Sequence, residues 1–327
     1  MKENKKQSMM KAFIKMHVTD LAAYGGLIVC IIIFSIIPPL FGESIWTLSK
    51  LSTLISNVIV IGLMSVGAVF VYALGNMDIS IGKQVGIYAT LMVYMGNKTG
   101  SIIGGILLSL VISIVIGIIN GATGELLNIH PIIASLVLMM TLGGVSSIAY
   151  NNLGSRNISL TNVDYSMFKN PWIMATVLVV EIIIISYLFN FTKYGKYAKA
   201  IGANPITAKQ SGINLLKYKV ICYIFMGICV VIAAVFQMGY TGSASDSTGT
   251  GFEMNVLVAL ILGGMPLSGG MRSKVSYAVV GALTYSLLDV GLPLIGVAPN
   301  QIFIVKAAIF MVVVLFTCRK PKGILPR

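Results

Sequence analysis

Charge is scarce in this chain. Only 10% of its 327 residues are charged, while 57% are hydrophobic; an ordinary soluble domain carries about 25% charged residues. A soluble protein of this length cannot cover its surface with so few polar groups. The bilayer is the solvent in which such a composition is stable. Carboxylates are rarer still, 10 Asp and Glu against 23 Lys and Arg. The resulting net charge of +13 does not point to nucleic acid. The basic residues sit at the termini and in hydrophilic gaps between apolar runs, the pattern of cytoplasmic loops. The four cysteines, Cys30, Cys222, Cys229 and Cys318, lie inside or at the ends of apolar runs. Their spacing suits helix packing and fits no metal site, so neither a metal site nor a disulfide is expected. The two histidines, His17 and His130, each stand just before a span, where an interfacial side chain is the plain reading. No Gly-x4-Gly-Lys-Ser/Thr loop occurs, so this chain has no nucleotide site of that kind. No carboxylate pair or Cys–His set has a spacing that would share a face, and no catalytic residue is expected.

What the chain has is long apolar runs. Ten can be marked, at roughly 21–41, 51–74, 81–95, 102–119, 131–150, 172–190, 220–240, 253–264, 275–292 and 301–318. Most have the length needed to span a hydrocarbon core about 30 Å thick. The segments 81–95 and 253–264 are short and abut glycine-rich stretches, as broken or partial helices do. The first run follows Lys2, Lys5, Lys6, Lys11 and Lys15. No small-x-small cleavage pattern comes after it, so it reads as a span and not as a removable signal. The expectation is an all-α integral membrane protein of about ten transmembrane helices. Its parts are a basic cytoplasmic segment 1–20, a single transmembrane domain 21–318 and a cytoplasmic tail 319–327. Alternating the spans from an inner N-terminus places 18 Lys and Arg inside, Lys83 among them, and 4 outside, with Lys306 inside the last span. That bias makes both termini cytoplasmic. Eight crossings would agree equally well if the two short segments fail to cross.

Two hydrophilic connections are long. The outer one, 151–171, is polar, with Asn151, Asn152, Asn157, Asn162 and Asn170. The inner one, 191–219, is basic and carries its own helix signals. Asn204 is a good N-cap and Pro205 suits the first helical position. Gly212 suits the stop. The helix of about two turns between them is marginal in isolation. It reads either as a solvated connection or as a docking knob for a cytoplasmic partner. An internal echo also appears. Gly75-Asn76-Met77-Asp78-Ile79-Ser80-Ile81-Gly82 aligns with Gly263-Gly264-Met265-Pro266-Leu267-Ser268-Gly269-Gly270 at four identical positions. Repeated interrupted segments point to a substrate path in transporters, though chance can produce so short a match.

The pattern Gly202-x-Asn204-x3-Ala208-x2-Ser211-Gly212-Ile213 resembles the coupling segment of ABC sugar-import permeases of the ribose, xylose and galactoside type. The resemblance continues through Gly242-Ser243-Ala244-x6-Gly251-Phe252-Glu253, Ala259-x2-Leu262-Gly263-Gly264-x2-Leu267-Ser268-Gly269-Gly270 and Leu292-x2-Ile295-Gly296-Val297. Upstream, Met77-Asp78-Ile79-Ser80-Ile81-Gly82 is similar to that family's Ile-Asp-Leu-Ser-Val-Gly element. It covers about residues 50–318. Asn76 stands where the family usually has Gly, and Met265-Pro266 where it has Thr-Ser. The resemblance implies a type II importer-like permease in a bacterial inner membrane. It implies a second permease subunit, identical or not, and a cytoplasmic ATP-binding subunit that carries ATP and Mg and docks on Gly202, Asn204, Pro205, Ala208, Ser211 and Gly212. It also implies an extracellular binding protein that delivers a sugar.

Charged groups in or near the spans stand apart, because they are costly there and functional by default. Lys306 either pairs with Asp289 or serves the path. Glu181 is either a proton site or a hydrogen-bonding partner for a neighbouring helix. Asp78 either caps a broken helix or touches solute. Asn76, Met77, Phe252, Asn255, Asn300 and Gln301 are further pathway candidates, since sugars need amides and aromatic or thioether surfaces. Besides an ATP-driven importer, the residues leave open an ion-coupled secondary transporter of a small polar solute.

Overall fold

The computed structural model describes residues 2–161 and 163–317, with side chains over 21–161, 163–298 and 300–312. The basic side chains of 1–20, His17, Asn162, Cys318 and the tail 319–327 lie outside the described residues. Twelve α-helices run in the order α1 (Lys2–Leu40), α2 (Leu48–Ala73), α3 (Ile81–Thr99), α4 (Ile103–Leu126), α5 (Pro131–Asn152), α6 (Pro171–Phe191), α7 (Lys193–Ala203), α8 (Pro205–Gln210), α9 (Leu215–Thr241), α10 (Phe252–Leu262), α11 (Val275–Leu294) and α12 (Pro299–Thr317). Each of the ten apolar segments falls on one of them. Seven (α1, α2, α4, α5, α6, α9 and α11) are long and apolar enough to cross a membrane.

α2 is the axis of the bundle. Every residue from Ile59 through Ala73 is buried, so this helix is apolar all round, as a helix surrounded by other helices must be. α9 and α11 flank it, while α1, α4, α5 and α6 turn apolar side chains such as Ile28, Val111, Met140 and Ile183 outward. Lipid does not drive apolar helices together, so close approach of small residues must hold them. Gly117 and Gly121 of α4 lie against the backbone of α9 at Ile224 and Val220. Gly67 of α2 faces Cys229 of α9. Gly263, just beyond α10, and Gly281 of α11 meet so closely that a Cβ on either would strike the other helix's backbone.

Two connections depart from what the sequence led us to expect. The α6–α9 connection contains two helices, of which α7 was not foreseen. The outer connection carries a short strand β1 (Asn157–Ser159), which pairs antiparallel with β2 (Ser243–Ser245), with Ile158 opposite Ala244. This ribbon marks one end of the bundle; α7 and α8 mark the other.

The ribbon explains why α10 is only 11 residues long. Leu160 N–H donates to the Gly242 carbonyl (2.9 Å), and Leu160 also packs over Gly96, near the end of α3. Seven residues beyond Gly242, the Gly249 backbone lies against Gly82 in the first turn of α3. Gly82 and Gly96 are separated by about 21 Å of helix. An extended chain from 242 to 249 covers about that length. The chain therefore re-enters the bundle along α3, and α10 begins part-way through it.

These close approaches give a paired test. Gly281→Val should destabilise the protein by about 3 kcal/mol through overpacking. Gly144→Ala, on an open face of α5 with nothing within 4 Å, should be neutral or stabilising by about 0.5–1 kcal/mol. Thermal unfolding in detergent reads both, and equal melting points would remove the role assigned to the α10–α11 crossing.

Candidate functional site

Four polar features interrupt the apolar bundle. The first is the break between α2 and α3. Asp78 is buried, and its Oδ1 accepts from Ser80 N–H (2.8 Å) and Ser80 Oγ (2.6 Å); Oδ2 accepts from Gln84 Nε2 (3.2 Å). Gln84 in turn accepts from the Tyr88 hydroxyl (3.3 Å). The carboxylate thus organises the first turn of α3 from two residues before its N-cap, Ser80. Asn76 is buried beside it, and Met77 is half-buried. Nearby and buried, Asn120 of α4 lies beside the Asp78 carboxylate and the Tyr223 hydroxyl of α9 beside Asn76.

The second feature is the re-entrant segment 243–251. Asp246 fixes it: its carboxylate accepts from Ser146 Oγ (2.8 Å) and Ser147 Oγ (3.1 Å) of α5, and its backbone carbonyl accepts from Lys83 Nζ (3.0 Å). Irregular backbone is tolerated at membrane depth only where protein or a water-filled cavity surrounds it. Ser247 and Thr250 are exposed, while Ala244 and Gly249 are buried. Lys83 was counted above among the inner-loop cations. It belongs instead to the first turn of α3 and reaches into the bundle, so the tally of eighteen loses one member and keeps its sense.

The third is a chain of side chains joining four helices. Lys306 of α12 is ion-paired with Asp289 of α11. Lys306 Nζ also donates to the Tyr285 hydroxyl (2.9 Å), which donates to Asn255 Oδ1 of α10 (2.5 Å), and Asn57 Nδ2 of α2 donates to Asp289 Oδ2 (3.1 Å). Of the two roles the sequence left open for Lys306, the structure shows the pairing. Asn255 joins this network, whereas Asn300 and Gln301 are exposed at the start of α12 and Phe252 packs half-buried at the start of α10. The seven pathway candidates therefore divide among separate groups. Glu181 of α6 is buried, and the group beside its carboxyl is the Cys229 thiol of α9, the kind of contact to a neighbouring helix that the sequence offered as one of its two roles.

The fourth is the α7–α8 projection. Asn204 Oδ1 accepts from Ile206 N–H (3.0 Å) and Thr207 N–H (3.1 Å), with Pro205 at the first helical position. Gly212 is left-handed (φ +80°), and Ile213 N–H donates to the Ala208 carbonyl (3.1 Å), so the helix starts and stops where its caps predict. The motif divides into two faces. Gly202 and Ala208 are buried, while Asn204, Pro205, Ile206, Thr207, Lys209, Gln210, Ser211 and Gly212 are exposed. A Cβ on Gly202 would strike the Ala73 carbonyl and sit 2.7 Å from the Gly270 nitrogen. The small residues of the motif therefore seat the projection on its own bundle, and the exposed ones are free to meet something else. The same junction explains the internal echo. Gly75 and Gly264 both end a helix with positive φ (+77° and +93°), each followed by an N–H bonded five residues back: Asn76 to Val71, and Met265 to Leu260. The matching caps pair Gly75 with Gly264, one residue off the register read from the sequence.

These features define a helical membrane protein with a capped helix that projects from, and is seated on, the ends of its spans. Residues 50–315 match the family described as the permease component of the branched-chain amino acid transport system, and the chain belongs to it. Among characterised proteins, the chain is 30% identical over 305 residues to the ribose import permease protein of Bacillus subtilis strain 168, covering 92% of this chain and 93% of that one. It is 28% identical to the ribose import permease protein of Escherichia coli strain K12, covering 94% and 96%. It is also 28% identical to the galactose/methyl galactoside import permease protein of the same strain, covering 88% and 91%. The resemblance to sugar-import permeases read from the coupling pattern is thus shown along nearly the whole length.

The ion pair is asymmetric: the Lys306 side chain is 9% exposed and that of Asp289 38%. Asp289→Asn leaves an ammonium in an apolar bundle and should cost about 3 kcal/mol. Lys306→Met leaves a partly exposed carboxylate that keeps its hydrogen bond from Asn57 and should cost less, about 1 kcal/mol. Melting of the two variants tests the order; the reverse order would mean that the lysine is not the buried partner.

Proposed function

We propose that this chain is the membrane-spanning subunit of an ATP-driven importer for a pentose, a hexose or a similar polyhydroxylated solute. The match over 50–315 carries the permease reading, and the named sugars of the relatives support the substrate class over the amino acids in the family's description. In this reading the transmembrane domain is 21–318 and the chain crosses ten times, one crossing being made by the re-entrant segment and α10 together, or eight times if α3 and α10 do not cross. The arrangement is of type II, in the bacterial inner membrane. Both termini and α7–α8 face the cytoplasm, which the Lys and Arg bias supports.

ATP and Mg belong to a separate ATP-binding subunit, which meets the exposed face of α8. A second permease subunit completes the path, and an extracellular binding protein delivers solute at the ribbon end. Transport then proceeds without catalysis by this chain. ATP binding and hydrolysis displace α8; the displacement passes through the Gly202 seat to the ends of α2 and α10; and the polar break at Asn76–Asp78 and the exposed hydroxyls of Ser247 and Thr250 meet the solute weakly as it passes. Weak contact suits a conduit, because a solute that binds tightly does not leave.

Glu181 favours a second reading, an ion-coupled transporter, since a buried carboxyl with a thiol rather than a cation beside it is a functional candidate by default. Purification from the native membrane in mild detergent distinguishes the two. The importer reading expects an ATPase chain to copurify. Ile206→Asp, on the exposed face, should reduce that recovery about tenfold, the effect of losing about 1.4 kcal/mol, with melting unchanged. Gly202→Val should instead lower melting, because it displaces the seat. A chain that comes out alone, with transport abolished by Glu181→Gln, would replace the importer reading with the second.

A further inference from the structure

At the α7–α8 end, a pocket of about 450 Å³ opens between the last turns of α6, the middle of α7 and the start of α11. That is the size range of small-molecule sites. Ser186 and Asn190 of α6 and Lys199 of α7 form one wall; Ser273, Lys274 and the first residues of α11 form the other. Among the described residues, no carboxylate lines it.

Two features give it one sign, and a third adds a hydroxyl that lacks a partner. Lys199 Nζ points across the wall, donating to Asn190 Oδ1 (3.3 Å) and lying 4.2 Å from the centre of the Phe189 ring. Its burial pulls the ammonium below the ordinary lysine value, so an anion beside it would relieve a real cost. The N-terminus of α11, a helix of 20 residues, opens here with no side chain capping it and no acid in its first turn. Such an end carries about half a positive charge and free N–H donors. Finally, Ser273 is 1% exposed and its Oγ has no hydrogen-bond partner. A buried hydroxyl without a partner is costly, and a ligand in the pocket it lines would satisfy it. Lys274, at the lip, lies over the Tyr277 ring (5.3 Å) and is itself engaged; the site does not depend on it.

The depth of the pocket indicates the source of the anion. On the same turns of α6, Tyr187 and Phe191 are exposed and stacked with centroids 5.8 Å apart. Exposed aromatic rings at the end of a span mark the headgroup level. Basic pockets between spans at that level hold lipid phosphates.

We propose that this pocket binds a phosphate group, presented by an anionic lipid headgroup, between Lys199, Ser273 and the N-terminus of α11. The full-length chain, stripped of lipid in detergent, is titrated with dioleoylphosphatidylglycerol, with dioleoylphosphatidylcholine and with inorganic phosphate, and followed by native mass spectrometry and melting. The expected result is retention of phosphatidylglycerol over phosphatidylcholine by about tenfold, equivalent to about 1.4 kcal/mol. Lys199→Gln and Ser273→Ala should abolish that preference, and Lys196→Gln, an exposed neighbour on α7, should leave it intact. Should Lys199→Gln fail to fold, Ser273→Ala and Asn190→Ala carry the test. Inorganic phosphate that raises melting and is not displaced by phosphatidylglycerol would uphold the phosphate site and overturn the lipid source. Equal retention of both lipids with no effect of phosphate, or undiminished preference in the pocket variants, would overturn the proposal. None of these readouts depends on transport.

Discussion

The hydrogen bond from Gly270 N–H to the Ala73 carbonyl (2.8 Å) fixes the end of the bundle on which the rest depends. Ala73 closes α2, the most buried helix, and Gly270 belongs to the connection between α10 and α11. Gly202 rests on the same two groups from the α7 side, and Gly75 approaches the Ser268 carbonyl from below. Three backbones meet in a space that admits no side chain. Glycine is required by the proximity at Gly202 and by both proximity and positive φ at Gly75, Gly269 and Gly270. A chain built this way cannot move α7 without moving the ends of α2 and α10. That rigidity is what a coupling element requires.

The buried charges obey the same constraint from the opposite side. A bilayer gives no screening, so each ionisable group must find its partner within the bundle. Lys306 does so across α11 and, through Tyr285 and Asn255, reaches α10, while Asp289 reaches α2 through Asn57. Asp246 does so by holding a strand-like segment against α5 with two serine hydroxyls. Asp78 spends its carboxylate on the start of α3. Glu181, with the Cys229 thiol beside it, and the hydroxyls of Ser65, Ser273 and Ser286, buried without a partner, are the groups least well served.

Much of this was legible in the sequence because bilayer physics leaves so few alternatives. Ten apolar runs gave ten helices. Asn204, Pro205 and Gly212 marked α8 because capping is local. Lys306 could be paired with Asp289 because a buried lysine must have an acid and few were on offer. What the sequence hid was set by distant partners. The β ribbon joins residues nearly ninety positions apart through strands of three residues each, too short for any alternating pattern. The re-entrant course of 243–251 depends on Gly82 and Gly86 lying flat against it, and nothing in its Ser/Thr/Gly composition separates it from a surface loop. Lys83 looked like a loop cation because its target, a backbone carbonyl at 246, leaves no signature. Gly202 and Ala208 looked like docking residues because small residues serve close packing against self and against a partner alike; only burial separates the two.

The same reasoning ties the phosphate pocket to the junction. Lys199 precedes Gly202 by less than one helical turn, and Ser273 follows Gly270 by three residues, with its N–H bonded to the Gly270 carbonyl (3.2 Å). The two walls of the pocket are therefore continuations of the two backbones that the junction clamps. Lys199 is held from below by Phe189 and Asn190, at the end of α6, and the first turn of α11 is held from above by the tight crossing at Gly281. A charge placed between them bears on α6, α7 and α11 together. Lys199, held by Asn190 and Phe189, and Ser273, whose hydroxyl has no partner, thus line one pocket beside the junction that clamps α7 to the end of α2.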